Sequence, residues 1–252
     1  MNRVNDDQPD RFDNAYMAMN EYNAGETDDK GNLILHIPEE NRIGFIKKVY
    51  GILSVQLTIT ALFTVLVYSV KDIQPLFHSM TFMIICIVLY ISTLCSLICC
   101  RLDKKVPLNY ILLFVLTIAI SCMVASICLR YSPMIVMEAA LLTAAVVVGI
   151  TVYAFTTKKD FTMCGALLPI FCMILLVGVA ISLIWPFTWN VIWCCLGAVL
   201  FSFYLLCDTQ MIIGGKHKKY QFGEDDYIFA ALVLYLDIIN LFLYILELMG
   251  RN

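Results

Sequence analysis

Seven runs of ~20 mostly apolar residues dominate this chain, and each is long enough to cross the hydrocarbon core of a bilayer as a helix. They are roughly Val49–Val70, Ser79–Cys100, Leu108–Arg130, Met134–Phe155, Cys164–Trp185, Val191–Ile213 and Ile228–Leu248. In lipid every backbone N–H and C=O must be satisfied within the protein, so such runs are expected as helices rather than open sheet. Their separators are short and carry charge, Gly or Pro, as in Arg101 to Pro107, Lys158-Lys159-Asp160, Trp185-Pro186 and Gly214 to Lys219. Short connections make consecutive helices antiparallel. The expected fold is an all-α integral membrane protein, a bundle of seven transmembrane helices.

Lysine and arginine set the orientation, because cytosolic loops retain them. Arg42, Lys47, Lys48, Arg101, Lys104, Lys105, Lys158, Lys159, Lys216, Lys218 and Lys219 fall on one side, eleven in all, against Lys71, Arg130 and Arg251 on the other. The amino terminus is therefore expected in the cytosol, and seven spans put the carboxyl terminus opposite unless the last segment re-enters. The first forty residues hold ten acids and three bases, Arg3, Arg11 and Lys30, and few large apolar residues. Residues 1–41 are expected as an acidic, largely disordered cytosolic tail, and 42–252 as the membrane domain. The tail lacks a basic stretch followed by an apolar one, so it does not resemble a signal peptide. No basic face points to nucleic acid; membrane lipid is the expected surrounding.

Nearly all of the eleven cysteines lie inside apolar runs, where cysteine behaves as a small hydrophobe. There is no Cys-x-x-Cys pair, and His36, His78 and His217 are isolated, so no zinc site or other cofactor is expected. Cys99 and Cys100 differ. They end a span beside Arg101, a setting that suits reversible palmitoylation.

Carboxylates inside the apolar runs are the informative residues. A mid-membrane charge costs at least ~2.5–3.5 kcal/mol on insertion scales, so such residues are functional candidates by default. Glu138 lies early in the fourth span and is a candidate ion-access residue. Asp208 lies in the sixth span, ~9 Å from its cytosolic end, and Asp237 in the seventh, ~15 Å from the same face. Antiparallel neighbours can bring the two together. Asp237 also begins a polar stripe with Asn240, Tyr244 and Glu247, at the spacing of one helix face. Two nearby carboxylates in low dielectric do not both ionise readily and would share a proton. When charged they would attract a divalent cation. Calcium takes six to eight oxygens, so two aspartates and Asn240 suit transit better than storage.

Three segments match a known pattern: Asp208 to His217 (DTQMIIGGKH), Glu224 to Leu232 (EDDYIFAAL) and Leu234 to Leu243 (LYLDIINLFL). Together they closely resemble the carboxyl-terminal signature of the transmembrane Bax inhibitor motif family, in its Lifeguard branch. Phe45 to Thr60 (FIKKVYGILSVQLTIT), Lys104 to Tyr110 (KKVPLNY) and Val152 to Thr162 (VYAFTTKKDFT) agree, and the resemblance covers about Ile43 to Gly250. It implies a seven-helix bundle whose last helix is enclosed by the other six. It also implies a calcium leak across an endomembrane, endoplasmic reticulum or Golgi with the plasma membrane as an alternative. The leak would be gated by protonation of an aspartate pair that maps onto Asp208 and Asp237. Calcium is then the transported ion, held only transiently. The family is associated with protection from cell death, which brings in other membrane proteins as partners. The chain departs from the pattern in two places: Cys207 stands where many relatives have tyrosine, and the second span has no Lys or Arg before Arg101.

Other classes fit less well. An intramembrane aspartyl protease also pairs aspartates on consecutive helices, but it carries Gly-x-Gly-Asp where this chain has Leu234-Tyr235-Leu236-Asp237. A seven-helix receptor has the opposite orientation. A non-conducting interaction protein that suppresses cell death would leave both aspartates dispensable. A proton-coupled cation exchanger would use a shared proton as well as a channel does.

Overall fold

The structure, a computed structural model, describes residues 39–99, 102–162, 173, 189–214 and 221–251. Among the described residues the regular elements are all helical. They are α1 (Glu39–Ser69), the short α2 (Gln74–Phe77), α3 (Met80–Cys99), α4 (Leu108–Cys128), α5 (Pro133–Thr156), α6 (Trp189–Ile213) and α7 (Tyr227–Met249). Six of these are long and apolar enough to cross a membrane. They correspond to the first four and last two expected spans. The fifth, Cys164–Trp185, lies outside the described residues.

The first span departs most from expectation, since its helix begins at Glu39 rather than near Val49. Arg42, Phe45, Val49 and Leu53 recur every three or four residues and are buried, whereas Lys47 and Lys48 face outward. Nearly three amphipathic turns thus extend the helix ahead of the apolar run. Local signals set other ends. Ser132 caps α5, its Oγ accepting from Ile135 N–H, and Pro133 occupies the first turn, where no N–H is needed. Gly214, at φ +61°, ends α6 in the left-handed conformation that glycine adopts without strain. The Gly214 step is therefore a helix terminator.

The bundle exposes apolar side chains outward and sets polar side chains within an apolar interior. Val55, Leu62 and Val65 on α1 and Ile84, Ile85 and Val88 on α3 are all more than half exposed. On α1 the opposite face carries Gln56, Thr60 and Thr64, all buried. Gln56 Nε2 donates to Thr117 Oγ1 of α4 (3.0 Å), and Thr60 Oγ1 lies 2.9 Å from Ser121 Oγ and 2.7 Å from the Tyr235 hydroxyl of α7. One turn further on, the Tyr68 hydroxyl reaches the Cys128 and Tyr131 carbonyls. Hydrogen bonds here replace the hydrophobic drive that lipid does not supply between helices.

α7 packs against α1, α4, α5 and α6, and its residues Ala230, Ala231, Leu234, Tyr235 and Leu246 have almost no exposed surface. It is unbroken over 23 residues, or ~34 Å at 1.5 Å per residue. At the end bearing Arg42, hereafter the basic end, Lys104 pairs with Asp226 at 2.9 Å and Lys48 lies over the Tyr227 ring. At the far end Phe63, Phe77 and Phe82 pack edge to face and join α1, α2 and α3.

Candidate functional site

The interface of α6 and α7 brings the two predicted aspartates together. Asp208 is 8% exposed and Asp237 5%, and their carboxyl groups adjoin across the α6–α7 interface. Two carboxyl groups can hydrogen-bond only with a proton between them, because an ionised carboxylate is an acceptor alone. The outer Asp237 oxygen, Oδ2, is buried and has no hydrogen-bond partner. The pair is thus a protonatable, partly unsatisfied acidic centre.

Beyond Asp237, two members of the polar stripe of α7, Tyr244 and Glu247, lie against α6. The Tyr244 ring lies against Gly197 of α6 and stacks on Phe201, with centroids 5.7 Å apart. Glu247 adjoins Cys194 of α6 and lies 3.7 Å from Arg251. Asn240 Nδ2 turns back to the Leu236 carbonyl at 2.8 Å, a bond within its own helix. The order along the seam is Asp208 with Asp237, then the aromatic contact, then Glu247 at the far end.

The last turns of α6, which carry Asp208, are held from two sides. Arg42, only 7% exposed, donates from Nε to the Ile213 carbonyl (3.1 Å), from Nη1 to that of Phe222 (2.9 Å) and from Nη2 to that of Met211 (2.5 Å). Two of these carbonyls, Met211 and Ile213, belong to the last turn of α6, and the guanidinium charge suits the negative pole there. Gly214 makes room for it, since a Cβ at that position would sit 2.3 Å from Nη2. On the other side Gln210 accepts from Phe161 N–H (2.9 Å) and donates to the Lys159 carbonyl (3.0 Å), clasping the loop that follows α5. Cys207 donates from Sγ to the Phe161 carbonyl at 3.4 Å.

The other predicted residues lie apart from this centre. Glu138 is exposed on the outer side of α5, among Met134, Met137 and Leu141, and the structure does not bring it to the aspartates. Cys100 and the side chain of Cys99 lie outside the described residues. Among the described residues no group of three or more His, Cys, Asp or Glu is placed to hold a metal ion. Sequence reasoning missed Arg42, Gln210 and Gly197. It also missed the first-helix stripe of Gln56, Thr60, Thr64 and Tyr68, whose four-residue spacing within an apolar run was a readable signal.

Comparison with known proteins adds a family. The family described as Inhibitor of apoptosis-promoting Bax1 matches residues 42–252. The chain is 33% identical to Protein lifeguard 3 of Homo sapiens over 239 residues, covering 92% of this chain and 73% of that protein. It is 35% identical to Protein LIFEGUARD 2 of Arabidopsis thaliana over 217 residues, covering 83% and 88%. It is 37% identical to Protein LIFEGUARD 4 of the same plant over 218 residues, covering 83% and 85%. These matches and the six apolar helices mark a multi-pass membrane protein.

Proposed function

Because this chain belongs to the Bax inhibitor family, alongside the Lifeguard proteins, we propose that it is a pH-sensitive calcium leak channel of an endomembrane that restrains apoptosis. The observation that carries this reading is the buried, adjoining pair of Asp208 and Asp237 between α6 and α7. With one proton shared, the pair joins the two helices and presents one negative charge to a cation rather than two. Losing that proton leaves two like charges a few ångströms apart. At an effective dielectric of ~20 and a separation of ~4 Å they repel by ~4 kcal/mol. Each 1.4 kcal/mol is about tenfold in an equilibrium, so this repulsion is large enough to drive a two-state change in packing. The ionised pair then meets calcium with carboxylate oxygens, but with too few for tight binding, which suits passage. Flux therefore rises with pH.

The membrane arrangement is part of the proposal. The amino terminus lies in the cytosol, as the excess of basic residues at the Arg42 end supports. The bundle has seven spans. That count is supported by α5 and α6 both running toward the basic end, where the loop after α5 meets Gln210. The last helix is the central one, which its packing against four others supports. The endoplasmic reticulum or Golgi is its site, with calcium, lipid and cell-death regulators of the same membrane as its partners.

Calcium efflux from proteoliposomes, measured across roughly pH 6 to 8, tests the proposal against the range in which a protein titrates physiologically. The wild type is expected to leak more at the higher pH. Asp208→Asn and Asp237→Asn keep hydrogen-bonding capacity but do not titrate, so each is expected to flatten the dependence. Flux that is absent from wild type, or identical in all three, would make the pair structural and favour a non-conducting interaction protein.

A further inference from the structure

The seam between α6 and α7 contains a glycine that nothing in the local backbone requires. Gly197 lies inside α6 and is buried. Glycine is a poorer helix former than alanine, and its φ here is not in the left-handed region, so the turn itself gives no reason for it. The neighbouring helix does. A Cβ at Gly197 would lie 2.5 Å from Cζ, 2.6 Å from Cε1 and 2.8 Å from Cδ1 of Tyr244. The tyrosine ring therefore rests on the bare helix backbone, a contact closer than any other residue allows. Its next neighbour along α6 is Phe201, stacked at 5.7 Å with the ring planes 28° apart, and Phe201 in turn packs on Tyr204 at 5.6 Å.

The ring's place along α7 gives it a consequence. Tyr244 comes seven residues after Asp237, ~10 Å along the helix, and three before Glu247. It therefore stands between the carboxyl pair and the acidic residue at the far end of the same face. A cation moving along this face from one to the other must pass it. We propose that Tyr244 is the plug of the leak pathway, with Gly197 as its seat and Phe201 as its backing. The carboxyl pair would control the basic half of the seam and the tyrosine would close the far half. Opening then requires the ring to leave the Gly197 seat, which a small separation of α6 and α7 accomplishes. The inference rests on the leak reading above.

Calcium efflux from proteoliposomes tests it, with wild type, Tyr244→Ala, Tyr244→Phe and Gly197→Ala compared at the pH where wild type leaks least. Tyr244→Ala is expected to raise flux at least about tenfold, by removing the group that holds the closed state. Gly197→Ala is expected to raise it as well, because the new methyl displaces the ring. Tyr244→Phe keeps the ring and is expected to stay near wild type. A second readout does not depend on flux. In Asn240→Cys, between the pair and the plug, a membrane-impermeant thiol reagent added from the far side is followed by peptide mass spectrometry. Labelling of Asn240→Cys is expected to be slow with Tyr244 present and faster with Tyr244→Ala. Wild-type flux that Tyr244→Ala leaves unchanged or lowers, with labelling also unchanged, would overturn the plug alone. No flux from either wild type or Tyr244→Ala would overturn the plug and the leak reading together.

Discussion

Replacing Arg42 with alanine should loosen the end of the helix that carries Asp208. The substitution removes the three hydrogen bonds to the carbonyls of Met211, Ile213 and Phe222. It also removes the guanidinium that lies 5.3 Å from the centre of the Phe45 ring. A hydrogen bond made by a charged group contributes ~1.5–3 kcal/mol. The carbonyls sit at a helix end near the membrane boundary, where water can take over part of the loss. One to two uncompensated bonds give an expected destabilisation of ~2–4 kcal/mol. For a protein of this size ~2–4 °C accompanies each kcal/mol, so the unfolding midpoint should fall by roughly 5–15 °C. Thermal unfolding in detergent, followed with a thiol-reactive dye, measures this directly, since Cys86, Cys128, Cys194 and Cys207 are buried in the folded protein and would become reactive. Arg42→Lys keeps the charge but not the planar fork, and should fall between alanine and wild type. An unchanged midpoint in Arg42→Ala would refute the reasoning, because it would mean that water satisfies all three carbonyls.

Gly214→Ala should destabilise by ~1–2 kcal/mol for the left-handed backbone alone, with more from the collision with Arg42 Nη2. In an Arg42→Ala background that collision is gone, so a double-mutant cycle by the same thermal assay should show the two losses to be less than additive. Gln210→Ala leaves the Phe161 N–H and the Lys159 carbonyl without their side-chain partner. It should cost ~1–3 kcal/mol and speed hydrogen exchange at the Phe161 amide, while the amides of α4 stay protected.

The carboxyl pair shows how far linear spacing can go. Counting residues from the basic end put Asp208 and Asp237 at similar depths on consecutive antiparallel helices, and this was enough to expect them to meet. The same counting placed Asn240, Tyr244 and Glu247 on the face of Asp237, and that face does turn toward α6. Glu138 shows where counting stops. Its depth is as readable as that of the aspartates, but whether it points into the bundle depends on how α5 is rotated, and α5 turns it outward among exposed Met134, Met137 and Leu141.

The amino-acid sequence by itself determined the membrane class, the bounds of most spans and the pairing of the two aspartates. Each follows from a one-dimensional quantity: the length of an apolar run, or the rise per residue of a helix whose backbone bonds are local. Only the tertiary structure decided the roles of Arg42, Gln210 and Gly197. As sequence, Arg42 is one more basic residue beside a span, and Gly197 a helix-weakening residue among apolar neighbours. Arg42 finds its partners 169 to 180 positions away, at carbonyls in the last turn of α6 and in the segment that leads into α7. Gly197 gains its meaning from a ring on α7 that approaches closer than any side chain permits. Such contacts depend on helix rotation and separation, which are set by the packing of the whole bundle and have no period along the chain.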